Sequence, residues 1–184
     1  MERLGFFLAD TLVYYRKDGL SQARAALPPD FGTRLAVAAD APQLEGLAAR
    51  AFKGYGGHYH ADPRLDPARC DEVYSSWAAA CARGDVCTAT ILLTAPGGAI
   101  AGFAALKRCD DAEFDGLLFA VDPPYQGRGL FGHLLDLSQQ WGLEHGFSRM
   151  LYSTQLTNLA PQGTLCRHGF VPVRSCYTLH KWFA

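Results

Sequence analysis

A mixed α/β sheet with helices on both faces is the fold class predicted for this 184-residue chain. Two observations carry that prediction. Apolar periodicity alternates between extended runs and helical spacing, in the order β α α β β β α β α β β. Apolar residues make up 49% of the sequence and charged residues only 19%, which is enough apolar surface to offset the ordering entropy of a packed core. At about 100 to 200 residues per domain, the length allows one full-size domain.

Leu4–Tyr15 is rich in apolar, aromatic and β-branched residues and reads as a strand or a strand pair. Two prolines and a glycine in Leu27–Gly32 interrupt it, so residues 1–32 are expected as a short appendage and 33–184 as the main domain. Thr33–Val37 reads as a strand. Asp40 with Pro42 signals a helix start, and Leu44, Leu47, Ala48 and Ala51 follow at helical spacing. Lys53–Pro67 carries too much Gly and Pro for regular structure and reads as a surface loop with polar and ionisable rings. Val73, Trp77, Ala80 and Cys81 mark a second helix, which ends at Gly84. The extended runs Val86–Thr94 and Ala99–Lys107 flank Ala95-Pro96-Gly97-Gly98, a hairpin signal. A third run, Phe114–Val121, leads through a Pro- and Gly-rich turn into a helix marked by Leu130, Leu134, Leu137 and Trp141. Arg149–Gln155 is a further strand, Asn158 is expected to cap a helix through Arg167, and extended runs follow at Val171 and at Ser175–Trp182.

Composition excludes several function classes. Lys plus Arg number 17 against 18 Asp plus Glu, which lacks the basic footprint that holds nucleic acid. The most apolar runs, Ala89–Ala95 and Leu117–Val121, fall far short of the roughly 20 residues of a membrane-spanning helix. Glu2 and the lack of a small-residue cleavage site argue against an export signal, so a cytoplasmic chain is expected. Six cysteines contain no C-x-x-C pair and are expected as buried free thiols. No metal is expected, because His58 and His60 alone do not complete a ligand set.

The chemistry centres on Gln126, Gly127, Arg128, Gly129 and Leu130, between an extended run and an amphipathic helix. Successive backbone N–H groups there would converge at the positive end of the helix dipole and bind phosphate, with Arg128 adding a charge-assisted contact. An ordinary glycine turn would produce the same pentapeptide. Gly127–Gly132 also satisfies G-x-G-x-x-G, but no early βαβ unit surrounds it and no acidic residue follows on a next parallel strand, so it is not read as a dinucleotide site.

LLFAVDPPYQGRGLFGHLL resembles the acyl-CoA-binding motif of the GNAT superfamily of N-acetyltransferases, and the resemblance covers most of Thr33–Ala184. The family motif Q/R-x-x-G-x-G/A maps onto Gln126 through Phe131, with Phe131 standing where a small residue is usual. Asn158 followed by Gly169-Phe170 stands in the place of a second family pattern. The resemblance implies an α/β GNAT fold, its mixed central sheet splayed between the fourth and fifth core strands. It also implies acetyl-CoA as acyl donor, with Leu118, Phe119, Ala120, Val121, Gln126–Phe131 and Asn158 holding it and amides near Phe119 polarising the thioester. YGGHYHADPRL and Ser153–Trp182 further resemble the nucleotide amino-sugar branch typified by dTDP-fucosamine N-acetyltransferase. That branch implies a nucleotide-linked amino-sugar acceptor, and makes Leu4–Tyr15 the remnant of a longer N-terminal lobe, with part of the nucleotide-sugar pocket either missing or supplied by a second subunit. Homodimers joined through edge strands are common in such folds.

Direct acyl transfer needs a deprotonated amine, an oxyanion donor and, optionally, a proton for the thiolate. In many relatives the proton donor is a tyrosine, and Leu165 stands at that position. A thiol of pKa about 8.5 leaves as thiolate at a cost of only about 2 kcal/mol at pH 7, so the loss is tolerable. His168, one turn on, is a candidate donor, as are Tyr152 and Tyr177. Asp115 holds a position where relatives carry a carboxylate base, although a solvated strand end explains it too. Tyr55, His58, Tyr59 and His60 are candidate acceptor contacts, through stacking, hydrogen bonding or proton acceptance. Alternative readings are transfer to a peptide or non-sugar amine, and a CoA-binding module without catalysis.

Overall fold

The computed structural model describes residues 2–22 and 26–183. Seven strands form one sheet: β1 (Phe7–Asp18), β2 (Gly32–Leu35), β3 (Ala89–Thr94), β4 (Ile100–Arg108), β5 (Glu113–Val121), β6 (Arg149–Gln155) and β7 (Val171–His180). Four α-helices connect them: α1 (Ala41–Ala51), α2 (Pro67–Arg83), α3 (Leu130–Glu144) and α4 (Leu159–Arg167). The strand order is β2-β3-β4-β5-β6-β1-β7, antiparallel throughout except for the parallel β5–β6 pair.

Strand alternation divides the apolar residues into two cores. On β4, Phe103 and Ala105 face a cluster built from α1 and α2, with Leu44, Leu47, Tyr74 and Ala78. Ala104 and Leu106 face the other cluster, where α3 and α4 contribute Leu130, Leu134, Trp141 and Leu165. The sheet is therefore covered on both faces, as the sequence predicts.

The feature that positions the site is the β5–β6 pair. Its register runs only from Glu113↔Arg149 to Gly116↔Tyr152. Beyond Gly116 the two strands part, while β5 stays paired to β4 as far as Val121. Against β4, Ala105 pairs with Leu118 but Leu106 pairs with Gly116, so Leu117 is an extra residue, a bulge that re-aims the strand as it leaves β6. This gap is the expected splay between the fourth and fifth core strands, counted from β2.

The N-terminal expectation differs most from the structure. Instead of an appendage, β1 is one twelve-residue strand inside the sheet, antiparallel to β6 on one side and to β7 on the other. Tyr15 is buried in the α3–α4 core, and its hydroxyl donates to Gln162 Oε1 of α4 at 2.9 Å. Sequence spacing does not report strand pairing between segments more than a hundred residues apart. β7 is likewise one strand where two runs were expected. Asp40 precedes α1 but does not cap it; its carboxylate takes Arg34 at 2.7 Å through both oxygens and the Val37 N–H at 2.9 Å. Only Cys70 and Cys81 are buried, Cys87 is half-buried, and Cys109, Cys166 and Cys176 are exposed; all are free thiols. No described helix is long and apolar enough to cross a membrane.

Candidate active site

A cleft of about 700 Å³ opens where β5 leaves β6. Leu117–Val121 form one wall and Tyr152–Gln155 the other, with Phe131 of α3 and Ala160, Pro161 and Thr164 of α4 between them. The third side is aromatic: Phe52, Tyr55, Tyr59, Tyr74 and Trp77, from α2 and the loop that joins it to α1. Because β6 has turned away, the backbone edge of Leu117–Val121 on that side has lost its partner strand.

The glycine loop closes one end of this gap. Gln126 lines the cleft, and its Nε2 donates to Val121 O at 3.0 Å, which ties the loop back to β5. Gly127 and Gly129 both lie at φ +74°, a left-handed conformation that side-chain-bearing residues rarely adopt. Upstream, the Gln126 N–H is spent on Pro123 O; downstream, the Gly132 N–H is spent on Gly129 O. Between them, the amides of residues 127 to 131 donate to no acceptor among the described residues. Five consecutive free N–H groups at the first turn of α3, which holds no acidic residue there, are donors of the kind that can bind an anion. Arg128 is stacked over the Tyr125 ring, 5.7 Å from its centroid. The approach to the loop is pinned from α1, where Arg50 grips Asp122 through two bonds of 2.9 and 2.7 Å.

Phe131 fits without displacing the loop. Its ring meets those of Phe119 and Tyr152 edge-on, at 6.0 and 5.9 Å between centroids, and lines the cleft. The space beside Gly132 is taken by His168: a Cβ on Gly132 would lie 2.8 Å from His168 Nε2.

The expected site residues divide. Leu118, Phe119, Ala120, Val121, Gln126, Phe131, Tyr152, Asn158, Tyr55, His58 and Tyr59 all line the cleft. The others do not. His168 is held between α3 and α4 by a 2.8 Å contact from Nδ1 to Asp136, so the helix face that sequence spacing assigned it points at a buried carboxylate. Tyr177 sits on edge strand β7 and is 74% exposed. His60 turns toward α2, its Nε2 2.9 Å from Asp71. Asp115 precedes the bulge, in the part of β5 still paired with β6, and lies outside the cleft lining; burial, then Glu113, pushes its carboxyl up. Leu165 is fully buried in the α3–α4 core.

Asn158 makes no capping bond to α4. Its Nδ2 donates instead to the Tyr55 hydroxyl at 3.0 Å and to Thr154 Oγ1 at 3.1 Å, while Tyr55 donates to Gln155 Oε1. Burial raises the Tyr55, Tyr74 and Tyr152 phenols, so all three stay protonated. Residues unmarked in the sequence reading stand behind His58. Its Nδ1 is 3.0 Å from His180 Nε2, and His180 Nδ1 is 2.9 Å from Asp62 Oδ2. Asp62 is buried and also accepts from Trp182 Nε1 at 2.9 Å and from the Arg64 N–H at 3.0 Å. The only sequence signal for this cluster is the Gly- and Pro-rich loop that carries His58 and Asp62; His180 lies 122 residues from His58.

A mixed sheet that parts at a bulge, with a loop of free amides at the mouth of the gap, defines the acetyltransferase fold. Residues 57–170 match the model of the acetyltransferase (GNAT) family, and the chain belongs to that family. No curated protein matches it by sequence. Among solved structures, it is similar to a GCN5-related N-acetyltransferase from Sphaerobacter thermophilus, with 17% identity and a TM-score of 0.66 over 99% of this chain and 54% of that one. A GCN5-related N-acetyltransferase from Kribbella flavida gives 13% identity and 0.64 over 100% of this chain and 62% of that one. A tandem GNAT protein from the clavulanic acid biosynthesis pathway gives 15% and 0.62 over 97% and 55%. These likenesses concern the fold, and the chain spans about half the length of the first of these structures.

Proposed function

We propose that the protein is an acetyl-CoA-dependent N-acetyltransferase that passes the acetyl group directly to an amine. The run of five free amides at 127–131, which starts beside Gln126 and ends at Phe131, both lining the gap between β5 and β6, carries this reading. The coenzyme diphosphate would be held by those amides and the α3 dipole. Its pantetheine arm would take the place that β6 vacates beside Leu117–Val121, satisfying backbone groups that have no partner strand. An unpaired N–H near Phe119 would then stabilise charge developing on the carbonyl oxygen. No chain cysteine lines the cleft, which favours direct transfer over an acyl-enzyme route.

For the acceptor we favour a nucleotide-linked amino sugar. The Tyr55, Tyr59 and Trp77 wall offers flat apolar faces to a base or sugar ring, and the resemblance of the loop and of Ser153–Trp182 to that branch points the same way. The test is thiol release from acetyl-CoA with a panel of nucleotide amino sugars, peptides and small amines, alongside calorimetric CoA binding. Turnover with the amino sugars is the expected result. Turnover confined to peptides or simple amines reassigns the acceptor, and tight CoA binding with no turnover on any amine reduces the protein to a binding module.

A further inference from the structure

Behind the aromatic wall, three side chains form a hydrogen-bonded line whose protons can be placed by elimination. Asp62 accepts from Trp182 Nε1 and the Arg64 amide, both of which can only donate, and its carboxyl lies below the usual range. His180 Nδ1 must therefore donate to Asp62 Oδ2. When His180 is neutral it has only a lone pair at Nε2, and His58 Nδ1 is then the donor in their 3.0 Å contact. That leaves His58 Nε2 with its lone pair free, on a residue that lines the cleft, and Nε2 makes no hydrogen bond among the described residues. The line Asp62–His180–His58 thus favours one tautomer and leaves one basic nitrogen unbonded on a residue that lines the gap.

We infer that His58 Nε2 is the proton acceptor for the incoming amine, with His180 and Asp62 as the positioning residues that hold its tautomer. The inference rests on the acetyl-transfer reading above. In the step, an ammonium N–H bond breaks and its proton bonds to His58 Nε2. The freed lone pair forms the C–N bond to the acetyl carbonyl carbon, and the C–S bond breaks with its electron pair going to sulfur. The second nitrogen proton, released as the amide forms, neutralises the thiolate, and His58 returns its proton to water.

The groups around His58 support this role and supply its signature. Burial pushes the imidazole below its ordinary value, while Asp10 of β1 pulls it back up. The Tyr59 ring lies against it at 3.9 Å between centroids, and the phenols of Tyr55 and Tyr74 stay neutral. Asp10 has one buried carboxylate oxygen without a partner, and its charge also reaches Tyr55 and Tyr74 of the cleft. His58 is accordingly neutral near pH 7, as an acceptor must be, with negative charge close enough to attract an ammonium group.

The experiment is the pH profile of kcat and KM for wild type, His58→Gln, His180→Gln and Asp10→Asn, read by thiol release. The wild-type kcat falls on the acid side as His58 becomes protonated. His58→Gln lowers kcat by about 10²- to 10⁴-fold and abolishes that limb, with KM for acetyl-CoA unchanged. Asp10→Asn moves the limb to lower pH, because the Asp10 carboxylate favours the protonated imidazole, and His180→Gln lowers kcat by releasing the His58 tautomer. A merely structural cluster would lower the melting temperature and leave kcat and the limb where they were, and that result overturns the inference while the acetyl-transfer reading stands. Absence of wild-type turnover on every amine overturns both. Imidazole ¹⁵N resonances of the wild type give a check independent of the variants: His58 protonated at Nε2 at pH 7 also overturns the inference.

Discussion

Gly127 and Gly129 are each asked for a conformation that costs a side-chain-bearing residue about 1–2 kcal/mol. Gly129→Ala therefore weakens CoA binding about tenfold by calorimetry, since about 1.4 kcal/mol is a factor of ten. The melting temperature is a separate readout of the same strain. A second prediction concerns Asp40, whose carboxyl is held low by the Arg34 guanidinium and, further, by the Val37 amide. A lowered folded value stabilises the protein above the ordinary carboxylate pKa of 3.8, and the gain disappears as pH falls through the folded value. Asp40→Asn is expected to lower the melting temperature at neutral pH and to flatten its decline on acidification. At this scale the sequence displayed the glycine turn ahead of α3 well, because Gln126–Leu130 is contiguous and its conformation lies in the backbone. It displayed the proton-transfer groups poorly. His168 and Tyr177 carry suitable functional groups, but one is spent on Asp136 and the other stands on an exposed edge. His180 looked like an ordinary strand residue until β7 brought it to His58.

Among the elements, β5 and β6 decide whether a cleft exists. Their last paired positions are Gly116 and Tyr152, and a Cβ on Gly116 would meet the Tyr152 ring at 2.7 Å and Met150 at 2.9 Å. Gly116→Ala is thus expected to destabilise the protein by about 2 kcal/mol through overpacking. For a chain of this size that is a melting temperature lower by about 4–8 °C, measured by calorimetry. It should also raise KM for acetyl-CoA, since Tyr152 lines the gap and has nowhere to retreat except into it. The helices and the β3–β4–β5 meander were legible from local periodicity and from Pro96-Gly97-Gly98, because neighbours in sequence pair with each other there. The splay was legible only through the family resemblance. A bulge at Leu117 leaves no mark on a run as uniformly apolar as Leu117–Val121.

At the scale of the whole molecule, the strand expected as an appendage is structural. β1 joins β6 to β7, buries Tyr15, and brings Leu12 to the cleft and Asp10 to His58. A chain beginning at residue 33 is therefore expected to lose cooperative unfolding and dispersed amide resonances. A compact, melting-competent 33–184 fragment would show instead that the sheet tolerates the loss of its sixth strand. The family match spans 57–170, and Asp10 and His180 lie outside it. Such long-range pairing is invisible to composition and periodicity, which record only what each segment prefers by itself.

The position of β1 also governs the order of assembly. On the ribosome, residues 7–18 emerge long before 149–155 and 171–180, the segments that flank them in the finished sheet. The earliest strand must wait with both hydrogen-bonding edges bare until the latest has been synthesised. The nascent polypeptide is therefore most exposed to edge-to-edge association, and most in need of a chaperone, during that interval.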